Sequence, residues 1–234
     1  MSGILYGIGV GPGDPELLTL KAVRTIRACD VVILPTEPKE DCYAYRIVKD
    51  ILPEIDEKEI LCRHFPMIRD PEQLARAHAA IYADISGCLE KNKKAAFLTI
   101  GDPSLYSTFS YIHERAVEHG FLTEVIAGVP SICAAAARAG IPLGGARDEI
   151  HIIPGAGDVR RTLAYPGTKV YMKSGKQLHE IKKILEEQQS MHEIWAVSNC
   201  GMADEKVMCG LQSIDADSGY LTIIIVKEND VRSS

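Results

Sequence analysis

"ILYGIGVGPGDPELLTLKAVRTIRACDVVILP", residues Ile4 to Pro35, decides the fold. The run "ILYGIGV" reads as a strand, and a glycine-rich turn follows it. "PELLTLKAVRTIRAC" has a helical period, which predicts Leu17, Leu20, Val23 and Ile26 on one face. "DVVILP" is a second buried strand, stopped by Pro35. Strand, helix, strand in so short a stretch calls for a crossover between parallel neighbours. The pattern continues with a short strand in "EILCRHF" and a long amphipathic helix through "PEQLARAHAAIYADISGCLEK". A strand in "KAAFLTI" and a helix in "STFSYIHERAVEH" complete it, so the first half predicts a mostly parallel sheet.

After "LTEVIAGVPS" the texture changes: small residues fill "SICAAAARAGIPLGG", and Gly and Pro are dense from Gly140 to Gly157. The segments "EIHIIP", "TKVYMK", "EIWAVSN", "EKVMCGL" and "YLTIIIV" read as closely spaced strands around the helix "KQLHEIKKILEEQ". Late, closely spaced strands predict antiparallel pairing, hence a mixed sheet. The expected junction lies near Ala127 to Pro130, giving two α/β domains, 1–128 and 129–234.

Composition narrows the function. The chain has 234 residues, 46% of them hydrophobic and 25% charged, enough for sizeable cores, with only the polar tail after Lys227 reading as disordered. A net charge of −6 argues against bulk nucleic-acid binding. There is no run long enough for a membrane span and no signal-peptide pattern at the start. The seven cysteines are scattered without a CxxC, as expected for free thiols in the reducing cytoplasm. The seven histidines form no zinc-type spacing, so no protein-ligated metal is expected.

The glycines Gly7, Gly9, Gly11 and Gly13 invite a dinucleotide reading, but the G-x-G-x-x-G spacing fails at Pro12 or Asp14. Asp14 and Glu16, with Pro15 read as the first helical residue, would also repel a pyrophosphate at that helix start. Two readings stay open: a turn capped by Asp14, or a loop that lets a flat, bulky ligand approach the backbone. A nicotinamide site using Glu37 is the weaker alternative.

"LTIGDPSLYSTFSYI" (Leu98–Ile112) raises a second question, because Ser104, Tyr106, Ser107, Thr108 and Ser110 crowd five hydroxyls beside an apolar strand. Asp102 and Pro103 read as N-cap and first residue of the helix that follows, with Leu105, Phe109, Ile112 and Ala116 as its apolar stripe. That leaves the hydroxyls over. The carboxyl end of a parallel strand is where open α/β folds bind ligands, and a ligand with ribose, amine and carboxylate but no phosphate suits such groups. S-adenosylmethionine (SAM) is one.

These stretches resemble the tetrapyrrole methylase family: the opening Ile4–Pro35 segment, "TIGDPSLYSTFSYI", and "VIAGVPSICAAAARAGIPL" occur in the family's order over much of the first 145 residues. "GDPSLYSTF" resembles in particular the members that methylate C20 of precorrin-2 or cobalt-factor II. The resemblance implies two α/β domains with an active-site trough between them, SAM at the junction (leaving as S-adenosylhomocysteine, SAH), and a homodimer. It implies cofactor contacts at Gly101, Asp102, Pro103, Ser104, Leu105, Tyr106, Ser131, Ile132, Met172, Leu221 and Thr222, with Gly11, Pro12, Gly13 and Asp14 lining the macrocycle trough. Tyr106 is the weak acid–base candidate, and no catalytic base is firmly assigned.

The substrate's carboxylates, with or without cobalt in the ring, call for cations. Arg160 and Arg161 are the first choice, and Arg147, Arg46, Arg63 and Arg69 are further candidates. His64, His113 and His151 are read as packing or surface residues, with ligation of substrate cobalt as the minor alternative. A C11-methyltransferase, a diphthine-synthase type acting on a protein, and a non-catalytic SAM-binding module remain open beside the C20 reading.

Overall fold

The computed structural model describes residues 3–66, 70–155, 157–174, 177–187, 192–214, 219 and 221–228; Arg69 and the tail 229–234 lie outside them. The chain divides into two compact units, residues 1–130 and 131–234.

The first unit alternates strand and helix: β1 (Ile4–Gly9), α1 (Leu20–Ala28), β2 (Val31–Leu34), α2 (Tyr43–Ile51), β3 (Glu59–Cys62), α3 (Pro71–Glu90), β4 (Lys94–Thr99), α4 (Phe109–Glu118) and β5 (Leu122–Ile126). Its strands form one sheet in the order β3-β2-β4-β1-β5, parallel throughout. The interior strand β2 is buried at every position, as a parallel sheet covered on both faces requires. Ala22 and Ile26 of α1 pack with α2 on one face of the sheet, while Ile85 of α3 and Phe109, Ile112 and Ala116 of α4 pack on the other.

Three expectations are corrected here. Pro15 opens only a three-residue 3-10 turn, Pro15–Leu17, capped by Asp14; α1 begins at Leu20, with the Thr19 hydroxyl accepting from Ala22 N–H at 3.1 Å. Leu20 therefore points outward and is 81% exposed, and Ala22 joins Ile26 on the buried face. Asp102 does not cap α4, which starts at Phe109 after Thr108; Leu105 lies in the preceding loop.

The second unit holds α5 (Ser131–Ala139), β6 (Ile150–Pro154), α6 (Val159–Leu163), β7 (Thr168–Met172), α7 (Leu178–Glu187), β8 (His192–Ser198), β9 (Lys206–Cys209) and β10 (Thr222–Glu228). The sheet order is β6-β7-β10-β8-β9. β6 and β7 are parallel, β10 runs antiparallel between β7 and β8, and β9 is antiparallel to β8, giving the mixed sheet expected. Leu163 of α6 and Ile181 and Leu185 of α7 cover one face with Tyr171, Ile194 and Ile224. On β7 the fully buried Lys169 donates to Gly167 O at 2.9 Å and to Oε1 of the half-exposed Glu228 at 3.0 Å, so its buried charge is matched. None of the seven cysteines forms a disulfide. Among the described residues no helix is long and apolar enough to cross a membrane, and no cluster of three His, Cys, Asp or Glu could hold a metal.

Candidate active site

In the first unit β1 and β4 are neighbours, yet the helices after them, α1 and α4, pack on opposite faces of the sheet. Loops that leave adjacent strands for opposite faces open a crevice at the carboxyl end, the usual ligand position in such sheets. Gly11 and Gly101 meet there: Gly101 N–H donates to Gly11 O at 2.8 Å and Gly11 N–H to Gly101 O at 3.4 Å. The loop expected to face the macrocycle and the loop expected to hold SAM are thus side by side. The loop after β5 closes in as well, since a Cβ on Gly128 would lie 2.2 Å from Gly101 O, which leaves room for glycine alone.

Asp102 fastens these loops. Its Oδ1 accepts from the Ser104 N–H at 2.8 Å and from the Ser104 hydroxyl, and its Oδ2 accepts from Gly128 N–H at 2.9 Å. Burial raises the carboxyl's pKa, but the Ser104 and Gly128 donors lower it by more, so it rests below the usual aspartate value and carries its charge. Much of the hydroxyl crowding is structural. Ser107 Oγ lies 3.0 Å from Thr99 Oγ1 and accepts from Phe109 N–H at 3.2 Å, and the Ser110 hydroxyl donates to Ser107 O at 2.9 Å. Tyr106 is 42% exposed and holds a left-handed backbone, φ 49°. A non-glycine residue there is strained, and such strain gathers at ligand sites.

In the second unit Met172 ends β7 and Thr222 opens the antiparallel β10, so the two stand at one edge of the sheet with Leu221 beside them. Met172 is 6% exposed; Thr222 is fully buried, its hydroxyl 2.9 Å from Ser198 Oγ and donating to Gly219 O at 2.7 Å. Ser131 and Ile132 begin α5, which packs against β8, β9 and β10. Arg160 stands in the first turn of α6, which follows the carboxyl end of β6, and its guanidinium reaches Glu187 Oε2 at 3.3 Å in the last turn of α7. Arg161 is exposed on α6 beside it.

Of the other described candidates, Arg63 pairs with Asp84 at 2.6 Å, Arg46 lies 4.4 Å over the Tyr43 ring, and Arg147 lines a shallow crevice with Asp148, Glu149 and Glu228. His113 packs on Phe109 and His151 on Tyr165, the packing role expected for both. Sequence reasoning missed Thr99 and Gly128 as site-building residues. Gly128 lay inside a quoted motif, but its role depends on where Gly101 O falls.

An α/β chain with a ligand crevice at the carboxyl end of a parallel sheet, built from these loops, belongs to the family of Tetrapyrrole (Corrin/Porphyrin) Methylases, whose sequence profile matches residues 4–215. Among its relatives, the protein of Methanocaldococcus jannaschii named "Probable cobalt-precorrin-2 C(20)-methyltransferase" is 35% identical over 95% of this chain and 95% of its own. "Cobalt-precorrin-2 C(20)-methyltransferase" of Salmonella typhimurium is 30% identical over 97% of this chain and 98% of its own. In fold the chain is similar to uroporphyrin-III C-methyl transferase from Thermus thermophilus, solved in complex with S-adenyl homocysteine, with a TM-score of 0.70 and 21% identity over 96% of this chain and 92% of that one.

The crevice residues fit SAM chemically. From Ala95 to Glu114 no lysine or arginine occurs, so this stretch offers carbonyls, hydroxyls and the ionised Asp102. Acceptors of that kind suit an ammonium, a sulfonium and ribose hydroxyls, and would serve a phosphate poorly.

Proposed function

We propose that this protein transfers a methyl group from SAM to the C20 meso carbon of precorrin-2 or cobalt-factor II, a step of cobalamin biosynthesis. The observation that carries the reading is similarity over nearly the full length to proteins named for that reaction, 35% identity over 95% of the chain in the archaeal case. The crevice at Gly11 and Gly101 supports it, because a flat macrocycle and SAM can both approach bare backbone there.

In this reading Gly101, Asp102, Pro103, Ser104, Leu105 and Tyr106 hold SAM, together with Ser131, Ile132, Met172, Leu221 and Thr222. When bound, SAM supplies a methyl group on a sulfonium, poised for in-line displacement. The chain's task is then to position: well-oriented reactants gain about 7–11 kcal/mol over the same groups free in solution. Gly11, Pro12, Gly13 and Asp14 border the acceptor. Arg160 and Arg161 take its carboxylates; the exposed Arg160–Glu187 pair, worth at most about 1 kcal/mol, yields to a better partner. Tyr106, whose backbone is left-handed and whose side chain is exposed, is the acid–base candidate for passing on the C20 proton after transfer. A cytoplasmic homodimer completes the reading.

The test is anaerobic incubation with methyl-labelled SAM, offering metal-free precorrin-2 and cobalt-factor II side by side, with mass spectrometry and NMR to locate the label. Label at C20 of one or both is the expected result, and the preferred acceptor shows whether cobalt is present at this step. Label at another carbon, or on no tetrapyrrole, overturns the C20 assignment.

A further inference from the structure

The loop that joins β4 to α4 runs from Ile100 to Thr108 and holds two left-handed residues, Gly101 with φ 72° and Tyr106 with φ 49°. Glycine takes that conformation freely, whereas a bulky side chain such as tyrosine does so at a cost. A loop keeps such a residue where its neighbours hold the chain on both sides. Asp102 supplies the hold before Tyr106, through Ser104 and Gly128. Ser107 supplies the hold after it.

The Ser107 Oγ accepts from Phe109 N–H at 3.2 Å, and its carbonyl accepts from the Ser110 N–H at 3.3 Å and the Ser110 hydroxyl at 2.9 Å. Thr99 Oγ1 stands 3.0 Å from the same Ser107 oxygen and closes a hydroxyl pair. Both anchors of that oxygen are rigid. Phe109 is 2% exposed, and its ring packs so closely on β1 that a Cβ on Gly7 would lie 2.2 Å from it. Thr99 ends β4, is 9% exposed, and its carbonyl accepts from Val10 N–H at 3.0 Å.

The β-branched side chain of Thr99 is stiff at χ1, so its hydroxyl has little freedom to leave Ser107. Valine has nearly the same shape and suits a strand at least as well. What threonine adds at this position is a hydroxyl, which burial makes costly unless it is paired.

The geometry points to Thr99 and Ser107 as positioning residues: their hydroxyl pair ties the loop to the sheet, holds Tyr106 left-handed, and keeps residues 102–106 in the shape that receives the methyl donor. The inference rests on the function proposed above, in which this loop holds SAM. A loop already in shape binds more tightly, because binding need not order it. The test is calorimetry with SAH on wild type, Thr99→Val, Thr99→Ser and Ser107→Ala, with Tm measured in parallel.

Thr99→Val is expected to weaken SAH about threefold to tenfold, the range of one net hydrogen bond, with little change in Tm. Thr99→Ser keeps the hydroxyl and loses a buried methyl, so it should do the reverse, lowering Tm and leaving affinity near wild type. Ser107→Ala should match Thr99→Val in affinity, and the two losses should not add when both are made. Thr99→Val should also cost less affinity when combined with Tyr106→Asn, because asparagine enters the left-handed region readily and needs less bracing. Equal SAH affinity in wild type and Thr99→Val, losses that follow Tm across the set, or an undiminished loss beside Tyr106→Asn would each overturn the inference. So would a wild type that binds no SAH. The expected SAH losses with no methyl reaching C20 would sink the proposed reaction and leave the brace standing.

Discussion

Removing the Asp102 carboxylate would strand two backbone N–H groups and one hydroxyl, at Ser104 and Gly128, and release the loop after β4 from the loop after β5. Asp102→Ala is therefore expected to cost about 1–3 kcal/mol, seen as a drop of several degrees in Tm, and to weaken SAH binding measured by calorimetry. Unchanged Tm and unchanged affinity together would show that the carboxylate fastens nothing. The same residue shows how far reading the chain could reach. Asp102 beside Pro103 was legible as a cap, because Asp-Pro has few other uses at a strand end. Which N–H groups it caps was not legible, because Gly128 stands 26 residues away in sequence. The hydroxyl crowding looked like a ligand's signature, yet Ser104, Ser107 and Ser110 largely hold their own loop.

At the scale of the element, α1 shows a start signal displaced. Asp14-Pro15 carries every mark of a helix N-terminus, but the 3-10 turn it opens ends at Leu17, and Thr19 caps the real helix. Thr19 also donates to Ala127 O at 3.4 Å, so one side chain anchors α1 to the loop after β5. Thr19→Ala is expected to cost about 1 kcal/mol, while Thr19→Ser keeps most of the stability; equal urea midpoints for all three proteins would deny the cap its role. The short helix α2 went unread, although Ala44, Tyr45, Ile47 and Val48 form a buried face. Proline-rich, acidic flanks hid it, and Tyr45 is held partly by its bond to Asp56, another contact across sequence. Long helices such as α3, with Asp70 and Pro71 at its start, were plain because cap and period agree.

For the molecule as a whole, two histidines set its response to mild acid. Burial lowers the pKa of His78, with Arg115 adding to the effect; burial and then Lys169 lower that of His192 against the opposing pull of Glu228. The unfolded chain takes up both protons near pH ~6.5, so stability is full above that and falls as pH drops toward the lower folded values. The slope reaches at most about 1.4 kcal/mol per pH unit for each histidine. Asp102 and Glu228, also lowered in the fold, add their losses only below about pH 4.5. Urea midpoints should therefore fall between about pH 7 and 5, and fall less in His78→Phe; a flat profile would contradict the assignment. Order along the chain determined a good deal by itself: alternating periods imposed a parallel sheet and then a mixed one, and three motifs in sequence marked the family, because local propensity and burial pattern act over a few residues. Tertiary structure alone decided which face each helix covers and that Gly11 meets Gly101 at a switch point. Those outcomes depend on close approach between segments distant in the chain, and no local pattern encodes the distances that packing sets.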